Sequence, residues 1–367
     1  MDLENAERYD RQIRLWGHHG QSRCSNSKIC LINCNSLGTE ILRGLCLAGI
    51  GSFTILDSHK LLPEDVGCNF IPQTHSIGKS RAETAKSMLL DLNDEVSGEI
   101  YPLETYLPHV SSTTSASNIT TTTNNITYLE DEEVSEDDST DRDTEFWKQF
   151  NCVIVSGVMY TGQIQRLSKI CSTLNVPMIL CKSIGFFGSM RNQLKDHLVV
   201  DTHPEWRPKD YDPNKPDTAV IKSTKQIYDE YDKKVCKIKE DEGEDDFITI
   251  YICLKALDLF FSTYGRLPGC RNDQVETDIN KLKDCVKQMV GKSSTQLKTL
   301  DQCLYELCRY GGAELHATSA FLGGCIAQEV IKLVTNQYLP VDDTLIYNAM
   351  SASTRTFKLD DLLVSQV

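Results

Sequence analysis

The stretch from Lys28 to Asp57, KICLINCNSLGTEILRGLCLAGIGSFTILD, constrains this chain more than any other. It reads as a buried strand from Ile29 to Ile32, a tight turn, a helix with apolar positions Ile41, Leu42, Leu45 and Cys46, and a second strand from Phe53 to Leu56. Asp57 ends that second strand. A strand-turn-helix-strand unit of this kind normally carries a nucleotide, with three glycines letting the backbone approach the phosphates at a helix N-terminus. Here the three slots hold Asn33, Asn35 and Gly38. The scaffold of a nucleotide site is present, and two of its three phosphate-gripping glycines are replaced.

A chain of 367 residues has room for one large or two modest domains. Its formal charge of -14 argues against a nucleic-acid surface, which needs a basic footprint. Part of that charge sits in one segment. Residues 111–145 begin as a polar low-complexity tract and continue as EDEEVSEDDSTDRDTE, ten acids to one arginine. Such a segment buries too little apolar area to offset its ordering entropy, and is expected to be a disordered insertion. Fifteen cysteines without a CxxC pair, many of them in apolar positions such as Cys30, Cys46, Cys152 and Cys181, read as buried thiols in a reducing compartment. The opening residues are charged, and no apolar run approaches the ~20 residues of a membrane helix, so a cytoplasmic or nuclear location is expected.

Beyond the first unit the pattern continues as α/β. A crossover helix carries Ala82, Ala85, Met88, Leu89 and Leu92 on one stripe. NCVIVSG, GQIQRLSKICSTLN and VPMILCK repeat the strand-helix-strand order, and SIGFFGSMRNQLKDHLVVD alternates as further strand. Residues 201–246 read as linker. Two helices within 248–290 follow, with Val275, Ile279, Leu282, Val286 and Met289 on the second and Cys253 and Cys285 on apolar faces. A small-residue helix and two strands, TLIYNAM and RTFKL, close the chain. The division expected is 1–206 and 301–367 for the two parts of one α/β domain, with 207–300 as linker and helical insertion.

Four motifs carry a family resemblance: RYDRQIRLWG, GTEILRGLCLAGIGSFTILD, SIGKSRAETA and AFLGGCIAQEVIKL. Together they resemble the adenylation domain of ubiquitin-like-modifier activating enzymes, over about residues 5–108, 146–206 and 247–359. The implied fold is Rossmann-like, with a mixed, mainly parallel sheet. Within the family, INCNSLGTEIL, DEVSGE, YGRLPG and RYGGAELHATSAFLGG are most similar to the non-catalytic, regulatory subunits of the heterodimers that activate Nedd/Rub modifiers; the SUMO-type regulatory subunit is the alternative.

Carried over residue by residue, the resemblance implies a degenerate nucleotide site. Asp57 is kept, but His59 stands where active members have a second aspartate. Glu64-Asp65-Val66-Gly67-Cys68-Asn69 replaces a loop that brings an asparagine and an arginine to the phosphates. Arg81 takes the place of a lysine, with Lys79 out of register, and Val158 that of a metal-binding aspartate; valine offers no oxygen to magnesium. The expectation is no cofactor on this chain, with ATP and magnesium held by a homologous catalytic subunit. The helix around RYDRQIRLWG reads, from its pattern alone, as a solvated amphipathic helix anchored by Ile13, Leu15 and Trp16. The resemblance instead makes Arg11 an arginine offered in trans to the partner's ATP, while Arg8 and Arg14 keep the passive reading. The insertion implied is shorter than in such subunits. A self-sufficient adenylating enzyme or an NAD-type oxidoreductase is the competing class, supported by an acid at 57, 19 positions after Gly38.

Overall fold

The computed structural model describes residues 7–70, 74–108, 140–200, 221–225, 246–291 and 297–358. In chain order its elements are α1 (Asp10–Ser25), β1 (Lys28–Ile32), α2 (Ser36–Ala48), β2 (Ser52–Leu56), the short α3 (Pro63–Cys68), α4 (Arg81–Leu92) and β3 (Ser97–Tyr101). After these come α5 (Thr140–Lys148), β4 (Cys152–Ser156), α6 (Thr161–Leu174), β5 (Met178–Ile184), β6 (Phe187–Gln193), β7 (Asp196–Val200) and β8 (Ile221–Lys225). The last six are α7 (Asp246–Tyr264), α8 (Val275–Val290), α9 (Leu300–Tyr310), α10 (His316–Thr335), β9 (Thr344–Asn348) and β10 (Ser353–Phe357).

Eight strands form one sheet in the order β10-β9-β6-β5-β4-β1-β2-β3, and β7 pairs with β8 in a separate ribbon. The strands from β3 to β5 run parallel, whereas β6, β9 and β10 join antiparallel. The sheet is therefore mixed and mainly parallel, with a Rossmann-like half that begins at β1. Alternation along the strands divides the core. Ile29, Leu31, Ile55, Ile154 and Ile179 pack under α2, α4 and α10 on one face. Cys30, Ile32, Leu56, Val153 and Val155 pack on the other, against α5 and α6. Each such aliphatic side chain, taken fully out of water, contributes roughly 1.5–3 kcal/mol. Cys30, Cys46, Cys152 and Cys181 lie in this buried apolar material, and Cys253 and Cys285 are buried in a separate cluster of the later helices.

Several expectations from sequence are corrected. The N-terminal helix runs on to Ser25, with a break at Gly17, whose φ of 72° lies outside helical space. Its anchor is Tyr9, 3% exposed, rather than Leu15, which is 62% exposed. The Tyr9 ring lies against Gly49, where any Cβ would sit 2.6 Å from it. Leu92 leaves the apolar stripe of α4 and is exposed. Folded chain resumes at Thr140, because α5 includes the last residues of the acidic segment. The remainder of that expected disordered insertion, 111–139, lies outside the described residues. The linker contains a strand, β8. α9 was not foreseen from sequence. It packs with α7 and α8 around Phe260, Leu282, Leu304 and Leu307, so the helical part continues to Tyr310 instead of ending at residue 300. α7 and α10 do reach membrane-spanning length and hydropathy, and each is more than half buried in the fold.

Candidate functional site

Ligands of open parallel sheets bind beyond the carboxyl ends of the strands, beside the N-terminus of the first crossover helix. In this chain that place lies beyond β1, β2 and β4, at the start of α2. Asn33 takes the left-handed turn that a glycine would (φ 64°), a conformation asparagine tolerates better than most residues. Asn35 caps α2. Its Oδ1 accepts from Gly38 N at 2.9 Å and from the Ser156 hydroxyl at 2.6 Å. Gly38 is retained for packing, since a Cβ there would stand 2.6 Å from the Asn33 carbonyl oxygen and 3.1 Å from Leu31.

Asp57 is buried and has no acceptor capacity left. Oδ2 accepts from Cys34 N at 2.8 Å and Arg81 Nε at 2.7 Å. Oδ1 meets the amide and the ring Nδ1 of His59, both at 2.8 Å. An ionised carboxylate has about four lone-pair sites, and all four are used. Burial would raise this carboxyl, but the His59 hydrogen bond and the Arg81 charge outweigh it and hold Asp57 down at about 2. Arg81, where the family resemblance leads one to expect a lysine, is thereby tied to the buried Asp57.

The loop above is closed as well. Ser36 Oγ donates to the Cys68 carbonyl at 2.6 Å, and Asn69 Nδ2 to Thr39 Oγ1 at 3.1 Å, so α3 is pinned onto the start of α2. Asp65 accepts from Leu62 N at 2.7 Å and caps α3. Val158 packs against the cluster formed by α7, α8 and α9. Lys79 is exposed.

One residue of this site was not picked out from sequence. Glu314, between α9 and α10, accepts from Ser36 N at 2.9 Å with Oε2, and the Leu37 amide also favours its charged form. Its signal was an acid placed directly before a small-residue helix, inside a quoted motif, with nothing local to say what it faces. These residues do not fit ATP. A carboxylate stands on the helix amides that a phosphate would need, Asp57 is saturated, and Val158, where the resemblance implies a metal ligand, is apolar.

A sequence profile of the ThiF family matches residues 9–363. The chain belongs to the ThiF family. Among curated relatives it is similar to the NEDD8-activating enzyme E1 regulatory subunit of Danio rerio, 26% identical, covering 96% of this chain and 98% of that one. It is also similar to the corresponding subunit AXR1 of Arabidopsis thaliana, 22% identical over 97% of each chain. The first alignment runs over 556 positions, far more than the 367 residues here, so this ThiF-family chain lacks internal sequence that its relative carries. The solved structure of E. coli MccB with succinimide shares the fold at TM-score 0.50 and 12% identity, covering 96% of this chain and 71% of that one.

Arg8, just before α1, and Arg11 and Arg14 on it differ in their partners. Arg8 pairs with Asp94 at 3.0 Å and Arg14 with Asp10 at 2.9 Å. Arg11 is exposed and forms no ion pair among the described residues. The helix that carries it is held firmly. Asn93 Nδ2 donates to Tyr9 Oη at 2.9 Å, Gln12 bonds the Leu47 carbonyl at 3.4 Å, and Gln337 and Tyr338 bond the carbonyls of Trp16 and Leu15.

Proposed function

We propose that this chain is the regulatory subunit of a heterodimeric activating enzyme for a Nedd/Rub-type ubiquitin-like modifier. The observation that carries the reading is the nucleotide end of the first unit, filled by the chain's own side chains in a ThiF fold whose near-full-length relatives are named regulatory subunits. A homologous catalytic subunit binds ATP and magnesium, adenylates the modifier's C-terminus and forms the thioester. This chain binds no nucleotide and supplies an interface and Arg11. Arginine suits that task because its planar, permanently charged group stabilises charge developing on phosphates. The buried free thiols favour a cytoplasmic or nuclear site of action. The names of the relatives favour the Nedd-type over the SUMO-type partner.

The deciding experiment is modifier-dependent ATP–pyrophosphate exchange. The purified chain alone is expected to show none, and its mixture with the catalytic subunit of a Nedd-type enzyme to show full exchange. Exchange by the lone chain would place it among the self-sufficient adenylating enzymes.

A further inference from the structure

The first turn of any α2-like helix in this topology presents unpaired amides and the positive end of a helix dipole, a ready anion position. In this protein a carboxylate already stands there. Glu314 Oε2 lies 2.9 Å from Ser36 N, with the Leu37 amide also in play. Oε1 is buried without a hydrogen-bond partner among the described residues. The connection that delivers it is shaped for the task. Gly311 and Gly312 both adopt positive φ (60° and 85°), and the next residue, Ala313, is held to the β5–β6 turn by Gly185 N at 2.7 Å.

We propose that Glu314 is an internal ligand that takes the place of a nucleotide phosphate, so that the anion site of this fold is closed by the chain itself. A degraded site would need no acid. Asn35 alone already caps Gly38 N, and burying a carboxylate with one orphan oxygen is costly unless something offsets it. The amides of Ser36 and Leu37 offset part of that cost, with burial still the larger effect. Arg81 favours the charge from α4, Asp65 on α3 opposes it, and the thiols of Cys34, Cys68 and Cys181 face the same space. Exogenous phosphate and Glu314 compete for the same donors, so removing the side chain leaves a cradle of the right sign for an oxyanion. The class of ligand for the opened site is a small phosphate anion, and inorganic pyrophosphate is the probe.

The test uses the full chain as wild type, Glu314→Ala and Glu314→Gln. At pH 8 and ~10 mM pyrophosphate, the alanine variant is expected to gain about 2 °C in Tm and to give a millimolar Kd by calorimetry. Wild type and the glutamine variant, which fills the same space, are expected to show neither. A folded alanine variant that ignores pyrophosphate, or a wild type that binds it equally well, overturns the proposal.

If the alanine variant does not fold, Glu314→Ser takes its place in the same titration, and a folded serine variant that ignores pyrophosphate overturns the proposal. Burial pushes Glu314 up to about 7 from an ordinary 4.5, against the pull of the Ser36 and Leu37 amides and of Arg81. Its favourable contribution is complete below 4.5 and is lost as pH rises through 7, so the titration is run at pH 8, where the wild-type carboxyl is charged. Failure here leaves the regulatory reading standing, because heterodimer exchange decides that separately.

Discussion

At the carboxyl ends of β1 and β2, Asp57, Arg81 and Glu314 each face another charge or a helix amide, whereas on α1 Arg11 is exposed with no ion pair among the described residues. Arg81 and Arg11 make the contrast sharpest. Arg81 gives its charge to Asp57 at 2.7 Å, inside the fold. Arg11 keeps its charge available, on a helix pinned by Tyr9, Gln12, Trp16 and Leu15 to the rest of the molecule. On the proposed reading, losing a nucleotide site and offering a phosphate-directed arginine are compatible, because the two lie on different surfaces. A filled pocket rigidifies the fold, and a rigid fold can hold an exposed arginine at a fixed place.

The largest effect expected from breaking this contrast is on the α1 side. Arg11→Ala should leave heterodimer formation intact and slow adenylation by the complex on the order of 10³-fold, by analogy with arginines supplied in trans to GTPases. Exchange kinetics measure it, and an unchanged rate would return Arg11 to the passive class of Arg8 and Arg14. On the closed side, Arg81→Met strands the buried Asp57 carboxylate and should cost about 3–5 kcal/mol in urea unfolding. In wild type, Asp57 contributes stability above the ordinary 3.8 that is lost as pH falls through about 2. The variant's deficit should therefore shrink in acid, as Asp57 takes a proton. A loss below ~1 kcal/mol, the usual worth of an exposed pair, would show that the pair does not hold the site shut. The smallest effect belongs to Gly38→Ala. Its added methyl group meets the Asn33 carbonyl oxygen at 2.6 Å and should cost roughly 1–3 kcal/mol by overpacking. A neutral result would mean that the turn yields, and that Gly38 is not kept for close packing.

Much of this architecture was legible in the chain because the relevant signals are local. Ile41, Leu42, Leu45 and Cys46 recur at helical spacing, and all four are buried in α2. The short apolar runs at 29–32 and 152–155 became central strands β1 and β4. Asn35 illustrates the boundary. As a missing glycine it was visible, yet its role as the α2 cap depends on Oδ1 also meeting Ser156, 121 residues away. α9 escaped notice because Leu300, Leu304 and Leu307 gain their meaning only from the faces of α7 and α8 that they cover.

The sequence by itself determined the α/β class, the family resemblance and the asparagines at two of the three glycine slots, since each is written in neighbouring residues or a short spacing. Only the tertiary structure decided what fills the site. Glu314 and Ser36 are 278 positions apart, and Arg81 and Asp57 meet only because α4 returns over the end of β2. A hydrogen bond acts over about 3 Å, and no pattern within a window of the chain records which distant groups the fold brings to that range.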